Sequence, residues 1–156
     1  MTDGLYTKEL YPDLCSAAFV LECSKGRGKI FGYFLEQLVS AGAYQGELLG
    51  LMAINLILIA VNKVSTTLQG RAQIYSDCMV AFGNVATLPT NRITCRCKHS
   101  DILKNITVNC QNLTFTCSYS HVKEHQYDDM AYQYLSRPSQ LKCIMDDHAK
   151  KVIWGL

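Results

Sequence analysis

One long apolar stretch, AYQGELLGLMAINLILIAVNKV from Ala43 to Val64, decides the fold of this chain. Its side chains leave almost no polar face, and a helix that is apolar nearly all round is buried on several sides. The most apolar part, residues 48–61, has 14 residues, which is too short to span a bilayer. The stretch therefore predicts a core helix around which the other elements pack.

A single carboxylate, that of Glu47, lies in the first turns of this predicted helix. One interpretation is a charge near the helix start, where the positive end of the helix dipole favours an anion. The other is a functional acid held at the edge of the core. The helical stretch alone leaves both interpretations open.

The length and composition of the chain predict one globular domain, residues 1–156. Apolar residues make up 49% and charged residues 18%, which is typical of a globular protein. The net charge of +2 is too small to indicate nucleic-acid binding by itself. The first residues have no apolar core of signal-peptide length. We therefore expect an intracellular protein of the cytoplasm or nucleus, with no signal peptide, transmembrane segment or membrane partner, and with its eight cysteines as free thiols.

Shorter patterned segments flank the long helix. Strands are predicted at 15–23, 29–36, 71–76 and 113–122, and helices at 78–88, from Ser100 as N-cap, and at about 138–154. Residues 1–14 are polar and turn-like, and residues 123–133 form a polar loop. Strands separated by helices indicate an α/β fold, with one mixed sheet and helices packed on its faces.

In such sheets, sites form at strand ends and at the helix starts that follow them, and four acidic residues are candidates for such a site. They are Asp3, Glu47, Asp77 and Asp146. Carboxylates gathered at one place repel each other unless cations neutralise them. Hard oxygen ligands are those that Mg²⁺ and Mn²⁺ prefer, so the pattern indicates a metal site.

Each acid on its own also has a purely structural explanation. Asp77 follows a predicted strand and is placed to cap the next helix. Asp147, beside Asp146, is placed to pair with Lys151 one helical turn later.

Five short motifs occur in the order of the ribonuclease H domain, which this sequence resembles over essentially its whole length. They are Thr2-Asp3-Gly4, the Glu47 of YQGELLGL, Ser76-Asp77, Val122-Lys123-Glu124-His125 and Asp146-x-x-Ala149-Lys150. The segments HVKEHQYDD and LSRPSQLKC are similar to the last strand, loop and helix of the domains carried by retroelement reverse transcriptases. Each motif is loose alone, but five in register make a fairly specific signal.

The resemblance implies a ribonuclease H-like five-stranded mixed sheet with helices on both faces. Its first strand is expected to be largely truncated, because only Met1 and Thr2 precede Asp3. The implied activity is that of an endonuclease that hydrolyses the RNA strand of RNA–DNA hybrids. Such a domain is part of, or derived from, a retroelement reverse transcriptase, so the implied partners are the hybrid and an attached reverse transcriptase in a parent polyprotein.

Carried over residue by residue, the resemblance implies five catalytic residues: Asp3, Glu47, Asp77, His125 and Asp146. The four acids would hold two Mg²⁺ ions, or Mn²⁺, about 3.5–4 Å apart. One ion would activate the attacking water and the other would stabilise the leaving 3′ oxygen. His125 would assist proton transfer or product release, and its near-neutral pKa suits either role. Without the resemblance, His125 is equally explained as a solvated loop histidine.

Five basic residues are candidate phosphate contacts: Lys25, Arg27, Arg92, Arg96 and Lys98. Such contacts position a duplex without reading its sequence. Recognition of the hybrid would depend on minor-groove shape and on 2′-hydroxyl contacts. A solvated surface explains the same residues equally well.

Two other functions compete with an active nuclease. The first is a non-catalytic remnant of such a domain, inactive because strand one is truncated. The second is a zinc-binding module built on Cys95-x-Cys97-x-His99, although structural zinc sites usually separate their cysteines by two or more residues.

Overall fold

The computed structural model describes residues 1–25, 28–37, 41–67, 69–87, 93–123 and 126–155. The elements follow in the order β1 (Thr2–Tyr6), β2 (Leu14–Glu22), β3 (Lys29–Gln37), α1 (Ala43–Val64), β4 (Arg71–Ser76), α2 (Met79–Thr87), α3 (Ser100–Gln111), β5 (Thr116–His121), α4 (Gln126–Asp129), a 3-10 helix (Tyr132–Tyr134) and α5 (Arg137–Trp154). The predicted mixed α/β class is confirmed, and α1 has the bounds that its apolar stretch predicts.

Several local expectations differ from the structure at element ends. β5 begins at Thr116, because the backbone of Thr114 bonds the Asn62 side chain instead of a strand. Ser100, the predicted N-cap, is the first residue of α3, and the N-cap is His99. The backbone of His99 has a positive φ of 56°, which ends the preceding turn. The predicted loop after β5 contains α4 and the 3-10 helix.

The prediction for the first residues is wrong, since Thr2–Tyr6 form β1 and are not turn-like. All five residues pair with β2, from Thr2 opposite Phe19 to Tyr6 opposite Cys15. Met1 extends the pairing, because its carbonyl accepts from the Val20 N–H at 2.9 Å. Strand one is therefore short but present, and Asp3 lies within it.

Backbone pairing joins the described strands into two sheets. β1, β2 and β3 form an antiparallel sheet, and β4 and β5 form a parallel pair. β1 lies beside β4. The Gly4 N–H of β1 points away from β2, but it donates to the Glu47 side chain at 2.8 Å and not to the backbone of β4. The single five-stranded sheet that the sequence predicts is thus not established by strand pairing.

Helices cover both faces of the three-stranded sheet, as expected. Successive residues of β2 point to opposite faces. Cys15 and Phe19 belong to the core cluster under α1 and α3, whereas Ala18 and Val20 belong to the cluster under α5. The acids near β1 therefore lie between two helical layers.

The central helix α1 packs across β1 and β2 and against α3. Its most apolar 14 residues are too few to span a bilayer, but the whole helix of 22 residues would suffice by length and composition alone. Its mean hydropathy is 1.8 over its most apolar window, 44% of which is buried in the protein. The core helix of a soluble protein has the same properties. Its side chains Leu48, Leu51 and Ile54 are at most 2% exposed, so it occupies the predicted position in the core.

Candidate metal centre

Three acids from distant parts of the sequence converge at one point. Asp3 lies in β1, Glu47 in the second turn of α1, and Asp77 directly after β4. One carboxylate oxygen from each lies within 4.8 Å of the other two. Asp3 is 3% and Glu47 7% exposed, and the Asp77 side chain is 9% exposed. Three hard oxygen ligands at this separation could hold a metal ion.

Glu47 connects the two sheets through its side chain. Its Oε1 accepts from the Gly4 N–H at 2.8 Å, and its Oε2 accepts from the Ser76 hydroxyl at 3.1 Å. The same Ser76 oxygen accepts from the Cys78 N–H at 3.0 Å, which holds the start of α2. Of the two interpretations of Glu47, the structure supports an acid that points into a buried cluster.

Gly4 lets β1 approach α1 closely enough for this contact. A Cβ at Gly4 would lie 2.5 Å from the Glu47 backbone nitrogen and 2.6 Å from the Gly46 carbonyl carbon. Backbone atoms of a packed helix cannot move aside as a flexible side chain does. Gly4 is therefore required for the position of Glu47.

We expect Gly4→Ala to lower the free energy of unfolding by about 1–3 kcal/mol, the usual cost of overpacking. Urea denaturation measures this change. Gly28→Ala is the matched control, because a Cβ there would meet nothing within 4 Å; it should shift stability by less than about 0.5 kcal/mol. Equal effects of the two substitutions would contradict the close-packing argument.

Lys142 of α5 completes the cluster and is not among the site residues predicted from the sequence. Its ammonium is bonded to Asp3 Oδ1 and lies 2.7 Å from Asp77 Oδ2. The residue is only 7% exposed. A signal was present in the sequence, because Lys142 precedes Asp146 by four residues and so lies on the same side of the helix.

The burial of these acids favours their neutral forms. Desolvation, together with repulsion by Asp77 and Asp3, raises the pKa of Glu47 to about 8. Desolvation also raises the pKa of Asp3 to about 6, although attraction by Lys142 opposes the shift. For Lys142, desolvation lowers the pKa, but the charges of Asp3 and Asp77 outweigh it and leave the pKa raised. When all three acids are ionised, the site contains more negative charge than one ammonium neutralises.

These shifts predict the pH dependence of stability without metal. An acid whose pKa is raised by folding stabilises the folded state at pH values below its pKa in the unfolded chain, which is 3.8 for Asp3 and 4.5 for Glu47. This stabilisation is lost as the pH rises through the pKa of the acid in the folded state. In EDTA, the free energy of unfolding of the wild type should fall, relative to that of Glu47→Gln, by more than about 1 kcal/mol between pH 5 and pH 8. Urea denaturation of both proteins at several pH values measures this difference, in which the groups common to both cancel. The same pH dependence in the two proteins would contradict the prediction.

Asp146, the fourth predicted ligand, is not brought within the 4.8 Å cluster. Its carboxylate lies 2.7 Å from the Lys150 ammonium and is 21% exposed. It is close enough that its charge raises the pKa of Asp3. Its neighbour Asp147 pairs with Lys151 at 2.6 Å, which confirms the structural role expected for Asp147.

The predicted catalytic histidine, His125, lies outside the described residues. A different histidine lies near the acids. His121, the last residue of β5, has its Nε2 3.0 Å from the backbone oxygen of Asp77. His121 is not among the predicted site residues, since the sequence pattern places it inside a strand, and only the pairing of β5 with β4 brings it to Asp77.

The predicted basic residues do not form one group in the described part of the chain. Lys25 is exposed and lines a groove of about 860 Å³ whose wall includes Val61, near the end of α1. Arg96 and Lys98 are also exposed, but they precede His99, whose ring contacts Tyr44 at the start of α1. About 25 Å of helix separates these two ends. The remaining candidates, Arg27 and Arg92, lie outside the described residues.

All eight cysteines are free thiols. Within the described ranges, the acidic cluster is the one group of three or more side chains with metal-ligand spacing. Cys95, Cys97 and His99 do not form such a group, so the structure gives no support to a zinc module.

Fold and site together define an α/β protein with a buried three-carboxylate centre that already binds one cationic group, the Lys142 ammonium. In comparison with known proteins, no family model matches the chain, and no curated protein is significantly similar to it.

Proposed function

We propose that this chain is a metal-dependent endonuclease of the ribonuclease H type that hydrolyses the RNA strand of RNA–DNA hybrids. One observation carries the proposal: Asp3, Glu47 and Asp77 come from three separate elements, yet their carboxylates lie within 4.8 Å of one another. The ribonuclease H-like motifs of the sequence nominate the same three residues. Their arrangement supports the resemblance.

The donor set fits a hard divalent cation such as Mg²⁺ or Mn²⁺. Asp3, Glu47 and Asp77 would hold the first ion, and Asp146 at the edge of the cluster is the candidate ligand for a second. When bound, such ions supply an activated water and neutralise charge on the transferring phosphate. The segments HVKEHQYDD and LSRPSQLKC, which are similar to those of retroelement domains, support derivation from a retroelement reverse transcriptase.

The other residues of the chain would position this chemistry. The hydrogen bonds from Gly4 and Ser76 fix the Glu47 carboxylate. The imidazole of His121, whose Nε2 lies 3.0 Å from the backbone oxygen of Asp77, is a candidate proton-transfer group, and the resemblance nominates His125 for the same role. Exposed Arg96 and Lys98, near the start of α1, are candidate contacts to phosphates of the hybrid.

A second candidate is a non-catalytic domain of the same ancestry. The observation that favours it is the ammonium of Lys142, which already pairs with both Asp3 and Asp77. A site permanently closed by its own lysine would bind no metal and cleave nothing.

A cleavage assay on a labelled RNA–DNA hybrid separates the two candidates. The nuclease should cut the RNA strand in Mg²⁺ and be inactive in EDTA, and a DNA duplex of the same sequence should remain intact. No cleavage in either Mg²⁺ or Mn²⁺ by the folded chain would reject the proposal in favour of the non-catalytic domain.

A further inference from the structure

The Lys142 ammonium lies where a bridging cation would lie. It contacts one oxygen of Asp3 and one oxygen of Asp77, two of the three carboxylates in the cluster. Its side chain is 9% exposed, and it comes from α5, on the opposite side of β1 from Glu47. The long aliphatic side chain of Lys142 therefore places one positive charge at the centre from α5.

Two cations bound to the same oxygens repel each other. A Mg²⁺ or Mn²⁺ ion bound to Asp3 and Asp77 would approach their oxygens to about 2.1 Å. The ammonium, 2.7 Å from Asp77 Oδ2, would then lie only about 4 Å from the ion. Repulsion at that distance in a buried site is large, because little water is present to screen it.

The negative charge of the cluster nevertheless favours exchange of the monovalent ammonium for a divalent ion. Three carboxylates face a single ammonium, which leaves negative charge uncompensated when the acids are ionised. A divalent ion neutralises more of it. The four-carbon stem of lysine has rotatable bonds throughout, so the ammonium can leave without a change in α5.

We propose that Lys142 is a built-in counter-cation that competes with the divalent metal for Asp3 and Asp77, so that metal binds only when the ammonium is displaced. The inference rests on the proposed function for the presence of a metal. Lys142 stabilises the metal-free protein and, by the same contacts, lowers its affinity for metal. It acts as a positioning residue for the acids and not as a catalytic residue.

The first test measures Mn²⁺ binding by calorimetry and by electron paramagnetic resonance, with no nucleic acid present. Lys142→Met keeps the aliphatic stem and removes the charge. We expect it to lower the Kd for Mn²⁺ at least about tenfold, because a repelling charge next to the ion is gone. Lys151→Met is the matched control on the same helix, since Lys151 pairs with exposed Asp147, and it should leave the Kd unchanged.

The second test uses the unaltered protein, in case Lys142→Met does not fold without metal. Reductive methylation followed by mass spectrometry reports how accessible each lysine is. Lys142 should be protected in EDTA and should react at least about tenfold faster in saturating Mg²⁺, as expected for an ammonium released from a buried ion pair. Lys151 should react equally in both conditions.

The outcomes separate this inference from the proposed function. Equal Mn²⁺ affinity of the wild type and Lys142→Met, or unchanged protection of Lys142 in Mg²⁺, overturns the competition even if the hybrid is cleaved. Absence of Mn²⁺ binding to both proteins overturns the competition and the metal-dependent nuclease together. Tighter binding by Lys142→Met with no cleavage of the hybrid supports the competition and rejects the nuclease.

Discussion

Asp77→Asn should abolish Mg²⁺-dependent cleavage of an RNA–DNA hybrid while leaving the protein folded. Asp77 is one of three carboxylates in the cluster, and an amide is a poor substitute for an anionic metal ligand. Loss of a residue that only hydrogen-bonds a metal ligand typically costs 10–100-fold in metal affinity or activity. Loss of a ligand itself should therefore lower the cleavage rate about a hundredfold or more. The assay follows release of labelled RNA fragments over time.

The fold should survive this substitution because Lys142 keeps its contact with Asp3. The charge of Asp77 also raises the pKa of Glu47, so its removal relieves repulsion in the buried cluster. We therefore expect the metal-free variant to unfold at the same urea concentration as the wild type, or at a higher one. A collapse of stability would show that Asp77 is structural, and loss of activity would then carry no information about metal.

Asp147→Asn is the matched control for the assay. Asp147 is exposed and pairs only one turn away with Lys151, a contact worth a few tenths of a kcal/mol at most. Cleavage should remain within about twofold of wild type, as for most surface substitutions. If Asp147→Asn removes activity and Asp146→Asn does not, the assignment on α5 is displaced by one residue.

Leu51→Ala should destabilise the protein by about 2–5 kcal/mol, the range found when a buried leucine is truncated and leaves a cavity. Leu51 is 1% exposed, and it lies in α1 within the main core cluster. A loss of this size is a large part of the 5–15 kcal/mol that stabilises a typical domain. Urea denaturation followed by circular dichroism measures it.

Leu56→Ala is the control within the same helix. Leu56 is 51% exposed, so the same substitution should change the free energy of unfolding by less than about 0.5 kcal/mol. Similar effects at both positions would contradict the packing of α1, as would unaltered stability of Leu51→Ala.

Much of the local structure could be predicted from the sequence because it depends on short-range pattern. The apolar stretch defines α1 to the residue, since a helix surrounded by other elements needs apolar side chains all round. The alternation in RAQIYS gives the bounds of β4. The site was predicted in part: the motifs nominated Asp3, Glu47 and Asp77, which converge, but also Asp146, which lies outside the cluster.

The sequence by itself therefore determined the elements other than β1, α4 and the 3-10 helix, and it nominated three of the four charged residues at the centre. Only the tertiary structure decided that Thr2–Tyr6 form a strand, because β2 supplies the partner for their backbone groups. It alone revealed Lys142, which is bonded to Asp3 across 139 positions of sequence. The physical reason is that local pattern fixes which side of an element is apolar, whereas a buried ion pair forms only when folding brings two distant residues out of water together.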